Sequence, residues 1–404
     1  MFIRKTIFKT NLMAILLVSV YSTANAATIY GCQDKNGKMS FSNSACSSNY
    51  KELFKKSIPG SDKAANTVKP PAQNNTTTPV ITPSQATATL PPVPSVLPKS
   101  DIFFAKNSFW YTPLPVNAPL AINSALLTQE LIRQKTTYYG TIGLNVSTSY
   151  SSPVYYVDAS VPKVKVTPLD CSKKGYTDYS LGKQWEAVPM PNYARQADGT
   201  DAEMTVYQAS TDTIWEFWKA KKDANGKWGA CWGGRMQNAS LSDGVFPTYY
   251  GTTATSLPFL GGQITAEELA RGEIKHVIGI ALVDTANWNV VSWPAHRSDG
   301  VNPKGLPDRI AEGQRFRLDP SINVDTLKMG KAGKVIAKAA QKYGFVVWDR
   351  AGAVVLRAQN PLSYTTQGLA DPYPSVLEGK KSWDVLTGFP WDKLQFLPIS
   401  YGKS

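Results

Sequence analysis

Beyond residue 100, apolar residues alternate with polar ones or gather in short β-branched and aromatic runs. VSTSYSSPVYYVDA, PKVKVTPL, EMTVYQAS, TIWEFWKA, KWGACWGG, HVIGIALVD, FVVWDR and AVVLRAQ each read as a strand. Three stretches follow a helical period instead. Residues 123–134 are amphipathic, with Asn123 as cap and Leu126, Leu127, Leu131 and Ile132 inward. Thr265-Ala-Glu-Glu268 is a capping box, and Gly272 stops the short helix that follows. Residues 326–343 are the longest helix candidate, closed by Gly344. Many short strands with three helices predict a mainly β domain, a β-sandwich or jelly roll with peripheral helices.

The pattern before residue 101 is different. MFIRKTIFKTN is positively charged, LMAILLVSVY is apolar, and Ala24-Asn25-Ala26 offers a small-residue cleavage site, so residues 1–26 read as a signal peptide. Residues 27–58 read as strand, turn, strand, with Asp34-Lys35-Asn36-Gly37 as the turn. Residues 59–100 are rich in Pro, Thr, Ser and Ala and poor in large apolar residues, as in a linker. Residues 101–404 then form the main domain. No later run of 18 apolar residues exists, so no transmembrane span is expected in the mature chain.

Composition sharpens this picture in two ways. The formal charge is +13, and loss of residues 1–26 removes Arg4, Lys5 and Lys9 and no acid, leaving +10. Such a balance suits anionic partners, whether acidic polysaccharide, phosphate-bearing envelope polymers or nucleic acid, or solubility alone. No Lys/Arg run of five or more appears, which argues against a nucleic-acid arm. An exported chain with four cysteines suggests two disulfides, for which three pairings exist. Proximity favours Cys32–Cys46, stapling the small hairpin module, and Cys171–Cys231. With no CxxC pair and two histidines, neither a metal nor any other cofactor is expected.

The densest chemistry lies in DTIWEFWKAKKDANGKWGACWGGR, residues 212–235. On a strand, Glu216 shares a face with Ile214 and Trp218, and a turn at Asp223-Ala-Asn225-Gly226 returns the chain through Trp228 and Trp232. A sheltered carboxylate between aromatic rings would have a raised pKa and serve as general acid or base, while the rings stack on a sugar. The alternative is a core hairpin rich in Trp. Asp201 and Glu203 lie two apart and share a side if the strand begins there, giving a partner carboxylate for glycoside hydrolysis. Arg235 follows two glycines and suits an anionic group such as a uronate, with His276 or a tyrosine as base in a lyase variant. His296 and Asp299, in HRSDG, complete the candidate binding residues with Trp218 and Trp232. GxSxG, phosphate-loop and dinucleotide fingerprints are absent.

Two resemblances add to this reading. Tyr30, Asp34, Gly37, Phe41 and Ser42 resemble the motif of a short N-terminal domain of unknown function on exported proteobacterial proteins. That resemblance implies export and attachment or binding at the envelope. SFWYTPLP, STDTIWEFW, ATSLPFLGG, ELARGEIKH, SWPAHRSDG, EGQRFRLDP and AAQKYGFVVWDRAG together resemble a family of secreted bacterial proteins common in actinobacteria. This implies one exported domain kept as a unit and assigns no catalytic residue. The expected function is an exported protein cleaving an extracellular or envelope glycan by carboxylate chemistry. The alternative is a noncatalytic glycan-binding or adhesion protein.

Overall fold

Alternation along two adjacent parallel strands, Ile278–Leu282 and Phe345–Arg350, organises the domain in this computed structural model. Ile278, Ile280, Leu282, Phe345 and Val347 enter one core, while Val277, Ala281, Val346 and Trp348 enter another. The structure describes residues 101–403, together with the backbone of three strands nearer the N-terminus. The two strands belong to a six-stranded sheet, whose order is Leu394–Phe396, Arg315–Leu318, Phe345–Arg350, Ile278–Leu282, Val355–Arg357, Gly143–Asn145. Its first face packs on helices Ser124–Thr137, through Leu127 and Leu131, and Lys331–Lys342, through Val335, Ile336 and Ala340. Its second face shares a core with a four-stranded sheet ordered Trp232–Gln237, Thr213–Trp218, Met204–Gln208, Val154–Val157. Gly279 and Gly262 make room for Trp348 there, since a Cβ at either would stand within 2.3 and 2.6 Å of its ring.

The domain is mainly β with a few helices, as the pattern predicts. The capping box at Thr265 and Glu268 is present, and Gly272 ends that helix with φ of 84°. The residue 123–134 stretch is helical, but Leu126 is exposed, and the Asn123 side chain donates to Asp308 at 2.7 Å instead of capping. The helix expected from residue 326 starts only at Lys331, because Val324–Thr326 is a separate 3₁₀ turn and Gly330 is the N-cap.

The tryptophan-rich stretch departs most from expectation. The turn at Asp223 forms, with Asp223 Oδ1 accepting from Asn225 N and Lys227 N. Thr213–Trp218 nevertheless pairs with Trp232–Gln237, not with Trp228–Ala230. Trp228–Ala230 pairs with Lys221–Lys222 and, in parallel, with Val166–Pro168. The break falls at Cys231, which is bonded to Cys171 across 60 residues. Replacing both cysteines with serine is expected to lower stability by about 2–4 kcal/mol, because the unfolded loop is released. A urea midpoint equal to that of the parent protein would count against this.

The chain divides into two units, residues 1–86 and 87–404. In the first, Thr28–Gln33 pairs antiparallel with Met39–Ser42 and also with Lys51–Ser57, a third strand beyond the expected hairpin. The expected Cys32–Cys46 bridge, the turn at residues 34–37 and the signal peptide lie outside the described residues. No helix among the described residues is long and apolar enough to cross a membrane.

Candidate functional site

Strand Phe345–Arg350 turns polar at its last two residues, and there a buried charged network begins. Asp349 Oδ1 accepts from the backbone N–H of Arg350 at 3.0 Å and of Ala254 at 3.3 Å. Its Oδ2 lies 3.4 Å from Arg357 Nη2. Arg357, on strand Val355–Arg357, donates through Nη1 to Glu203 Oε1 at 3.0 Å and sits 5.0 Å over the Phe259 ring. Glu203 and Arg357 are buried, whereas the Asp349 side chain keeps 19% of its exposure. Glu203 Oε2 and Arg357 Nε are left without a protein partner.

A second arm reaches the same place from residues 296–300. Arg350 Nη1 donates to the carbonyl of Asp299 at 3.2 Å. The backbone N–H of Asp299 donates to Glu312 at 3.1 Å, while the Asp299 residue is exposed. Arg297 turns inward and donates to Ser256 Oγ at 3.1 Å and to the carbonyls of Gly251 and Thr253 at 3.1 and 2.6 Å. Burial weakens its hold on the proton, opposed by the charges of Asp349, Asp299 and Glu312.

Desolvation sets the protonation of the acids. Burial pushes Asp349 up to about 6, against the pull of Arg357. Burial raises Glu203 to about 7, again opposed by Arg357, and raises Glu312 to about 8 with help from the Asp299 charge. These carboxyls bind protons more readily folded than unfolded, so they stabilise the fold fully below their unfolded pKa values, near 4. That contribution is lost as pH rises through 6 to 8. The urea midpoint should therefore be higher at pH 5 than at pH 8, and a midpoint that climbs over this range would contradict the assignment.

The residues singled out in sequence scatter over four places. Glu203 belongs to the charged network. Asp201 adjoins it: its charge acts on Glu203, and its Oδ1 accepts from Trp218 Nε1 at 3.1 Å. The pair does not follow strand alternation, because the strand begins at Met204 and Ala202 has φ of 41°. Trp218 is half-buried beneath Lys219, whose Nζ lies 4.3 Å from the ring, and faces Trp232 across the sheet.

Glu216 is the main correction. It does not stand in a cleft beside Trp218 but is fully buried, facing the second core. Its carboxylate accepts from Thr252 Oγ1 and Phe259 N, both at 2.6 Å, and from Leu260 N at 3.4 Å. Burial raises its pKa to about 7. Arg235 projects from the opposite face of the same sheet, across from Trp215, with its N–H bonded to Gln184.

His276 lies in a separate buried spot, 3.2 Å from Glu268 and 2.8 Å from the carbonyl of Val277. Burial opposes its charged form, but Glu268 outweighs this and raises its pKa. A cavity of about 20 Å³ adjoins it, lined also by Tyr111, Asp101 and Gln359. His296 and Asp299 both flank the network, His296 with Nδ1 3.1 Å from the carbonyl of Thr248.

Asp349, Arg357 and Glu312 are the members sequence reasoning missed. Asp349 and Arg357 carry a signal, a charge inside or at the end of an apolar strand run. Glu312 carries none, since it sits in a loop. Among the described residues, no three His, Cys, Asp or Glu side chains gather as metal ligands.

Residues 16–94 match a family described as a domain of unknown function (DUF4124), in line with the resemblance of the N-terminal motif. No curated protein and no solved structure matches the chain.

Proposed function

We propose that this is an exported, carbohydrate-active protein that cleaves an extracellular or cell-envelope glycan with carboxyl groups, in a domain that resembles a family of secreted bacterial proteins. The observation that carries the reading is Asp349, a partly exposed carboxyl raised to about 6 by burial and placed beside the exposed Asp299. A group with that pKa keeps much of its proton at pH 6 and below and releases it readily, as a leaving glycosidic oxygen requires. Asp299 supplies the second carboxylate that such cleavage uses. The positive net charge favours an anionic glycan.

The N-terminal charge and apolar pattern supports export by residues 1–26. The core shared by the four- and six-stranded sheets supports a sandwich-like stacking. A lyase route through Arg235 and His276 is not part of the proposal, since Arg235 projects from the far face and His276 is held by Glu268.

The test is release of reducing ends from neutral and acidic polysaccharides by the full chain. Release that persists in Asp349→Asn and Asp299→Asn would overturn the assignment. Binding of a polysaccharide without release would instead make this a glycan-binding protein.

A further inference from the structure

Residues 248–256 form a loop fastened by four ionisable side chains from three separate segments. Glu216 accepts from Thr252 Oγ1 at 2.6 Å. Arg297 donates to Gly251, Thr253 and Ser256. Asp349 accepts from Ala254 N, and His296 adds a contact with the Thr248 carbonyl while its own N–H donates to Thr255 at 3.1 Å. The loop is strained as well: Thr248 and Ser256 have φ of 60° and 68°, which a β-branched residue such as Thr248 rarely adopts. Burying a carboxylate and a guanidinium to hold backbone is costly compared with apolar packing. Strain so firmly held marks a loop whose shape is used.

Tyr249 is what this loop presents outward. It is 46% exposed. Its ring stacks on Trp232 with centroids 6.0 Å apart and planes 21° apart, and Tyr250 lies 4.9 Å away. Trp232 in turn stacks on Tyr250 at 5.8 Å, so the three rings brace one another. An open aromatic face on the loop that also donates to Asp349, one residue from Thr248, whose carbonyl contacts the exposed His296, suits an amphipathic ring better than an aliphatic chain.

We infer that this loop is a preformed sugar-ring subsite, in which the free face of Tyr249 stacks on a pyranose and Glu216 and Arg297 are positioning residues. The ligand class rests on the glycan reading above.

The full chain is titrated with hexasaccharides of galacturonic acid and of glucose, following tryptophan fluorescence, alone and in the Asp349→Asn variant. At least one hexasaccharide should bind. Tyr249→Ala should weaken that binding roughly tenfold, the scale of one lost aromatic contact, and Tyr249→Trp should restore it. Glu216→Gln, which keeps an acceptor oxygen, should bind as the parent does, and Glu216→Leu should lose affinity. The inference is overturned if neither hexasaccharide binds or if Tyr249→Ala binds as tightly as the parent. Tyr249-dependent binding without cleavage leaves the subsite standing and sinks the cleavage reading. Cleavage with a KM indifferent to Tyr249→Ala does the reverse.

Discussion

Arg357→Met is expected to destabilise the folded chain by about 3–5 kcal/mol, the usual cost of removing one member of a buried ion pair. The reason lies in what remains. Glu203 and Asp349 both face Arg357, and neither has another cation within ion-pairing distance among the described residues. Without it, two desolvated carboxylates repel each other, and each pKa climbs further. The loss should therefore shrink at pH 5, where both acids take up protons. Arg357→Met combined with Glu203→Gln should recover part of it, because one of the stranded charges is gone. Urea unfolding of the single and double variants at pH 5 and 8 measures all of this. A single variant as stable as the parent at pH 8 would mean that the network carries no net energy.

The second large effect is on activity. Asp349→Asn should lower glycan cleavage by about 10²–10⁴-fold, the range for loss of a general acid or base. Stability should change far less than in Arg357→Met, because Arg357 keeps its shorter contact with Glu203. If Asp349 acts in its protonated form, the parent rate falls as pH rises through about 6. That limb should vanish in the asparagine variant. Glu216→Gln should leave the rate close to that of the parent, since its carboxylate bonds only to the protein interior. A rate lost in Glu216→Gln and kept in Asp349→Asn would reverse the assignment of roles.

Much of the fold is legible from local pattern. FVVWDR, HVIGIALVD and TIWEFWKA are strands because their β-branched and aromatic side chains suit a pleated surface buried on both faces. Thr265 and Gly272 mark a helix because capping is a matter of a few adjacent residues. Pairing is another matter. Trp228–Ala230 sits directly after a good turn, yet across that turn it pairs only with the two residues Lys221–Lys222, and its other edge pairs with Val166–Pro168, to which Cys171–Cys231 ties it. Nothing local distinguishes that long-range choice.

The site is less legible for the same reason. Glu216 attracts notice because it stands among tryptophans, but burial of its face depends on Phe259 and Thr252, some 40 residues away. Asp349, Arg357 and Glu203 come from three segments that meet only where the two larger sheets share a core. His276 is a candidate base from sequence because it stands at a strand-to-loop boundary. Its neighbour Glu268, which is also the capping-box acid, occupies it instead.

The order of the six-stranded sheet also bears on how the domain is made. One edge strand is Gly143–Asn145 and the other is Leu394–Phe396, so the sheet is closed by segments some 250 residues apart. Topologies of such high contact order fold slowly, because loop closure precedes the reward of contact. A nascent chain ending before residue 394 lacks the strand beside Arg315–Leu318, together with Phe396, which stacks on Phe316. Completion of this sheet is therefore a late event in synthesis, possible only once the segment around residues 394–396 has been made.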